Sequence, residues 1–168
     1  MKTLRNVLSL VLLWGFVPVE AADRPNIVLI FADDLGWKDV GYQGSDFMET
    51  PHIDQLATQG TVFTAGYAAA GNCAPSRACL LSGTYTPRHH VYAVGSTDRG
   101  NKLQQRLIPI PNSVGLAKEH VTIAEALKSA GYTTGHFGKW HLAGKDGALP
   151  TEQGFDVSFD STGEGEIQ

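Results

Sequence analysis

An α/β sheet with crossover helices is the fold class that this sequence predicts, and three observations carry it. The run Asn26-Ile27-Val28-Leu29-Ile30-Phe31-Ala32 is continuously apolar after its first residue, the pattern of a strand buried on both faces. It halts at Asp33-Asp34-Leu35-Gly36, two carboxylates and a turn glycine at the carboxyl end of the strand, where open α/β sheets place their ligands. Downstream, short β-prone segments alternate with capped helical ones, the rhythm of strand and crossover helix.

The elements follow in order. Residues 61–64 (Thr-Val-Phe-Thr) are expected as a second strand, preceded by a short helix that starts at Thr50-Pro51 and is closed by Gly60. Pro75 suits an early helical position, so the segment through Leu81 is expected as a helix with Cys73 just ahead of its N-terminus, where backbone N–H groups and the helix dipole favour anions. Residues 88–117 carry few regular patterns and are expected as loop. Thr122-Ile123-Ala124-Glu125 has the form of a capping box and opens a helix ending at Gly131. A strand over 132–137 then leads to Gly138-Lys139-Trp140-His141.

The bulk composition is that of a folded protein: 168 residues, 42% hydrophobic, 18% charged, formal charge -4. No dense Lys/Arg run supplies the basic face that a nucleic-acid partner needs. Lys2 and Arg5 precede an apolar run over 7–17, and Val19 and Ala21 suit a signal-peptidase cut, so residues 1–21 are expected as a secretory signal. That run is shorter than the roughly 20 apolar residues of a membrane span, so no stable membrane anchor is expected. The product is expected to be exported, periplasmic or extracellular, where disulfides are permitted. A helix from Pro75 would still put Cys73 and Cys79 about 9 Å apart along its axis, at ~1.5 Å per residue, beyond the ~7 Å that a bridge allows.

Asp33 and Asp34 offer hard oxygen ligands for Ca²⁺ or Mg²⁺. In a regular strand they would face opposite sides, so both reach one ion only if the strand ends there. Lys139 and His141, two apart at the end of a strand, project to one side. Between these pairs, Cys73-Ala74-Pro75-Ser76-Arg77 sets a nucleophile at a helix start with a guanidinium four residues on. This inventory suits a tetrahedral anionic ester better than an acyl group. A cysteine-dependent phosphatase needs five residues between its Cys and Arg, and here there are three. His52, His89 and His90 read as surface or structural residues.

Three segments together carry a family resemblance. Residues 73–83 (Cys-Ala-Pro-Ser-Arg-Ala-Cys-Leu-Leu-Ser-Gly) resemble the signature of type I sulfatases, residues 26–36 that family's opening strand and metal-binding Asp-Asp, and residues 138–141 its Gly-Lys-Trp-His segment, all in family order. The resemblance implies an alkaline-phosphatase-like mixed sheet between helical layers, of which residues 22–168 would supply only a truncated N-terminal portion. It implies hydrolysis of sulfate monoesters through a formylglycine made from Cys73, with Pro75 and Arg77 at the positions that the formylglycine-generating maturation enzyme reads. It further implies a divalent cation, Ca²⁺ or alternatively Mg²⁺, held by Asp33, Asp34 and the modified Cys73; Arg77 steadying the hydrated aldehyde; and Lys139 and His141 acting in catalysis and in binding the sulfate ester, whether small molecule or sulfated glycan. The family completes its site from later residues, so the chain alone is expected to be inactive. A phosphomonoester or phosphonate hydrolase of the same superfamily, and an inactive exported binding module, are the alternatives.

Overall fold

The structure, a computed structural model, describes residues 24–161, with side chains to residue 159. The expected signal segment lies outside the described residues. The chain divides into two compact units, Met1–Ala32 and Asp33–Gln168.

Within the first unit, residues 24–32 form no strand. This corrects the expectation for residues 26–32: Val28 and Ile30 are 83% and 82% exposed rather than buried on both faces. A central strand needs hydrogen-bonding neighbours on both sides, and among the described residues the sheet is two-stranded, β1 (Gly135–Lys139) with β2 (Val157–Ser161).

In the second unit, the first helical turn is a 3₁₀ turn at Gly41–Gln43 tied to helix α1, Pro51–Gln59. Thr50 stands at the N-cap, but its hydroxyl makes no capping bond to a backbone N–H of the helix. Its hydroxyl instead accepts from the Gly41 N–H (2.8 Å) and donates to Asp54 Oδ1 (2.9 Å), which also accepts from the Tyr42 N–H. Any Cβ on Gly41 would run into the Asp54 carboxylate. Residues 61–64, expected as a strand, are irregular, again without an adjacent strand among the described residues.

Helix α2 spans Cys73–Ser82 and stops at Gly83, whose φ of 63° is left-handed. Cys73 is thus its first residue, with Asn72 as N-cap, one position further into the helix than expected. The buried face of α2 includes Ala74, Pro75, Arg77, Ala78 and Cys79, and small residues there let neighbouring elements approach closely. A short helix α3 (Thr86–His89) follows, and the expected loop over 88–117 is irregular apart from the end of α3, a 3₁₀ turn at Lys102–Gln104 and a single antiparallel bridge from Gly115 to Ala143.

Helix α4, Ile123–Ser129, begins with the expected capping box: the Thr122 hydroxyl accepts from the Glu125 N–H, and the Glu125 carboxylate from the Thr122 N–H. The expected strand over 132–137 is displaced to Gly135–Lys139 because Thr134 is engaged in a clasp. Its N–H donates to Asp156 Oδ2 (2.9 Å), its carbonyl accepts from the Asp156 N–H and its hydroxyl donates to the Gly154 carbonyl. That clasp sets the parallel register, Gly135 opposite Val157 through Lys139 opposite Ser161.

The core lies beneath the carboxyl end of β1. Ala74 and Ala78 of α2 meet Val91, Leu116, Trp140 and Leu142 there, with Phe155 packed alongside. Leu116 is bonded on both sides, its N–H to the Leu142 carbonyl and its carbonyl to the Ala148 N–H. Gly115 and Gly147 make this approach possible: a Cβ on Gly115 would sit 2.6 Å from the Gly147 Cα. Trp140 is fully buried, and its indole N–H donates to the Ala148 carbonyl at 2.8 Å.

Candidate active site

Five of the six residues singled out from the sequence converge at one place in the second unit. Asp33 and Asp34 sit in the turn that opens the unit, and Asp34 is left-handed at φ 55°. This turn, rather than the end of a regular strand, lets two adjacent carboxylates serve one point. A ligand atom from each of Asp33, Asp34 and Cys73 lies within 4.8 Å of the others.

Cations approach this cluster from two elements. The Lys139 ammonium, at the end of β1, is 2.5 Å from Asp33 Oδ2, and the Arg77 guanidinium, from the buried face of α2, is 3.4 Å from Asp33 Oδ1. Arg77 also donates through Nη1 to the Lys139 carbonyl at 2.5 Å, so it binds the end of β1 to α2 as well as facing the carboxylate. The hydrogen bond from Lys139, outweighing desolvation, and the nearby Arg77 charge hold the Asp33 carboxyl below its ordinary value. Reciprocally, the hydrogen bond to Asp33 pushes Lys139 up, with a smaller contribution from contact with Cys73. The Lys139 ammonium therefore pairs with the carboxylate and feels the charge of the thiol side chain as well.

His141 is placed differently from the sequence expectation. It lies beyond the end of β1, half-buried, with φ 61°, so the strand alternation that would set it beside Lys139 does not apply. The buried Trp140 between them fixes both backbone positions.

The ion pair from Asp33 to Lys139 is the feature that sequence reasoning missed. It links residues 106 apart, and assigning one to a metal and the other to substrate hid their contact. The second cysteine was equally opaque. Cys79 is a buried free thiol whose Sγ lies 3.3 Å from His89 Nε2, while His89 Nδ1 accepts from the Val91 N–H. Burial pushes the Cys79 thiol up and, with His120 and His90 nearby, pushes His89 down, so both stay neutral. Cys73 is the half-buried thiol at the cluster. Of the other histidines, His52 and His90 are exposed.

A thiol at a helix start, two carboxylates with close donor atoms and two cations are thus gathered at one place on an α/β frame, the class of site that an anionic ligand suits. Comparison with known proteins gives that class its family. The sulfatase family model matches residues 25–166. The chain is 40% identical over 148 residues to N-acetylgalactosamine-6-sulfatase of Mus musculus and 46% identical over 140 residues to arylsulfatase A of Homo sapiens, covering 88% and 82% of this chain. Among solved structures, it is similar to Ps i-CgsB (TM-score 0.64, 36% identity, 83% of this chain and 28% of that one). It is also similar to a Bacteroides thetaiotaomicron structure from the metabolism of multiple glycosaminoglycans (TM-score 0.67, 36% identity, 83% and 28%).

The chain belongs to the sulfatase family. Its frame is part of the alkaline-phosphatase-like α/β fold of those enzymes. It spans about a quarter of the length of these relatives, 27% of the mouse enzyme and 25% of human arylsulfatase A.

Proposed function

We propose that this site cleaves sulfate monoesters, with Cys73 as the reacting residue and a divalent cation at Asp33 and Asp34. The observation that carries the reading is the cluster itself: Asp33, Asp34 and Cys73 present donor atoms within 4.8 Å of one another, with Lys139 and Arg77 on Asp33. Family membership favours sulfate over phosphate esters, since the named relatives are sulfatases.

The donor set fits a hard cation. Two carboxylates on one turn supply the oxygen chemistry that Ca²⁺ or Mg²⁺ prefers, although Ca²⁺ takes about six to eight oxygens in all, so Asp33 and Asp34 form part of its shell. When bound, the cation would acidify a hydroxyl and neutralise charge on a sulfate oxygen. Oxidised to formylglycine by a maturation enzyme and then hydrated, Cys73 would supply two hydroxyls on one carbon, one to attack sulfur and one to release sulfate. The chain's own side chains do the remainder. Arg77 and Lys139 offset the negative charge gathered at Asp33, Asp34 and the ester. The Lys139 ammonium, paired with Asp33 in the cluster that holds Cys73, would hold the sulfate group next to the reacting carbon. His141, just beyond the end of β1, would need to turn toward Cys73 to assist proton removal from the second hydroxyl.

The substrate is proposed to be a sulfated small molecule or glycan, and the protein to be exported. No helix of the described residues is long and apolar enough to cross a membrane. Because Asp33 and Asp34 leave most of a cation's shell to be filled, the 168-residue chain alone is proposed to turn over sulfate esters little or not at all.

Two measurements test the reading. Mass spectrometry of the chain from its native host is expected to find the aldehyde at Cys73. Assay of the purified chain on an aryl sulfate with Ca²⁺, against the matched phosphate ester, is expected to give little turnover. Brisk hydrolysis that survives Cys73→Ala, or a preference for phosphate, would overturn the assignment.

A further inference from the structure

The contacts at Asp33 set two demands against each other. One carboxylate oxygen carries the Lys139 ammonium at 2.5 Å and the other faces Arg77 at 3.4 Å, while the same residue is one of three donors that converge as a cation site. The charges of Asp33 and Asp34 are matched by those of Lys139 and Arg77, so the cluster as arranged has no surplus negative charge to attract a dication. A cation between Asp33, Asp34 and Cys73 would sit against an ammonium already in contact with Asp33. Like charges at that range repel strongly outside bulk water.

The two cationic side chains differ in their freedom to yield. Arg77 is buried on α2 and bonded to the Lys139 carbonyl, so it belongs to the frame. That bond fixes the Lys139 backbone and leaves its four-carbon stem, 28% exposed, free to rotate.

We propose that Lys139 and the divalent cation compete for Asp33, so that the incoming ion displaces the ammonium from the carboxylate and turns it toward the anion-binding side of the site. This rests on the cation site of the reading above and adds a positioning role: one side chain guards the metal ligand and, once displaced, becomes available to the substrate. Ion and anion binding are thereby coupled through a single lysine.

The test measures Ca²⁺ binding to the 168-residue chain by titration calorimetry, for the wild type, Lys139→Met and Asp34→Asn. It also measures the reactivity of Lys139 toward an amine-acylating reagent, quantified by mass spectrometry with and without Ca²⁺. Lys139→Met, with the stem kept and the charge removed, is expected to bind Ca²⁺ on the order of tenfold more tightly. In the wild type, Ca²⁺ is expected to raise acylation of Lys139 several-fold while Lys118 and Lys128 stay unchanged. The labelling needs no variant, so it decides the matter even if Lys139→Met misfolds. Unchanged Lys139 labelling on Ca²⁺ binding that Asp34→Asn abolishes would overturn the exchange and leave the cation site standing. No Ca²⁺ binding to either wild type or Lys139→Met would overturn both.

Discussion

Asp33 shows how much of this protein turns on single contacts. Its carboxyl is held below the ordinary 3.8 first by the Lys139 hydrogen bond, and Lys139 is raised above 10.5 first by the same bond. A depressed carboxyl contributes stability that is present above its unfolded value and lost as pH falls through the lowered one. A raised ammonium contributes below its unfolded value and loses that as pH rises through the higher one. The pair is therefore complete throughout the neutral range and opens only in acid below 3.8 or in alkali above 10.5. Carbon NMR of the Asp33 carboxyl should show a midpoint below 3.8 that moves upward in Lys139→Met; a midpoint indifferent to that substitution would contradict the pairing. Arg77→Ala strips a donor from the Lys139 carbonyl and a cation from Asp33, and should cost about 1–3 kcal/mol in urea unfolding. The identities of the site residues were legible in the sequence because their types and local spacing state their chemistry. Their mutual contacts were not, since nothing in a linear string records that residue 139 comes back to residue 33.

At the level of elements, Thr122 does two jobs. Its hydroxyl accepts from the Glu125 N–H to start α4 and donates to the Gln153 carbonyl at 2.6 Å, joining the helix to the 3₁₀ turn ahead of β2. Thr122→Ala should lower stability by about 1–2 kcal/mol, the upper range for a lost cap, and Thr122→Ser should recover most of it in thermal melts. Trp140→Phe keeps the ring in the core but leaves the buried Ala148 carbonyl without its indole partner, and is expected to cost about 1–3 kcal/mol. The helices α1, α2 and α4 could be read in advance because capping residues, proline and glycine act locally. The strands could not be read as well. Residues 26–32 and 61–64 have strand-like sequences, but a strand exists only through its neighbours, and a clasp by Thr134, far from any periodicity signal, moved the start of β1 three residues along.

On the scale of the whole molecule, the described chain exposes much of what a large sheet would bury. Phe137 and Phe159 stack at 5.6 Å on the outside of the β1–β2 pair, each 70% exposed, and the apolar run of residues 27–31 is open to solvent. Unpaired edges and exposed aromatic faces bind hydrophobic dyes and each other. The purified chain should therefore enhance anilinonaphthalene sulfonate fluorescence and self-associate with rising concentration, and Phe137→Lys should reduce both. A dye-silent monomer by light scattering would show that these surfaces are covered. The buried face of α2 bears on timing. Pro75 is fully enclosed and Arg77 only 8% accessible, yet these are the side chains by which the proposed oxidising enzyme would recognise the motif. The proposed conversion of Cys73 would therefore have to act on the nascent, still extended polypeptide, and a molecule that folded first would have closed the door on it.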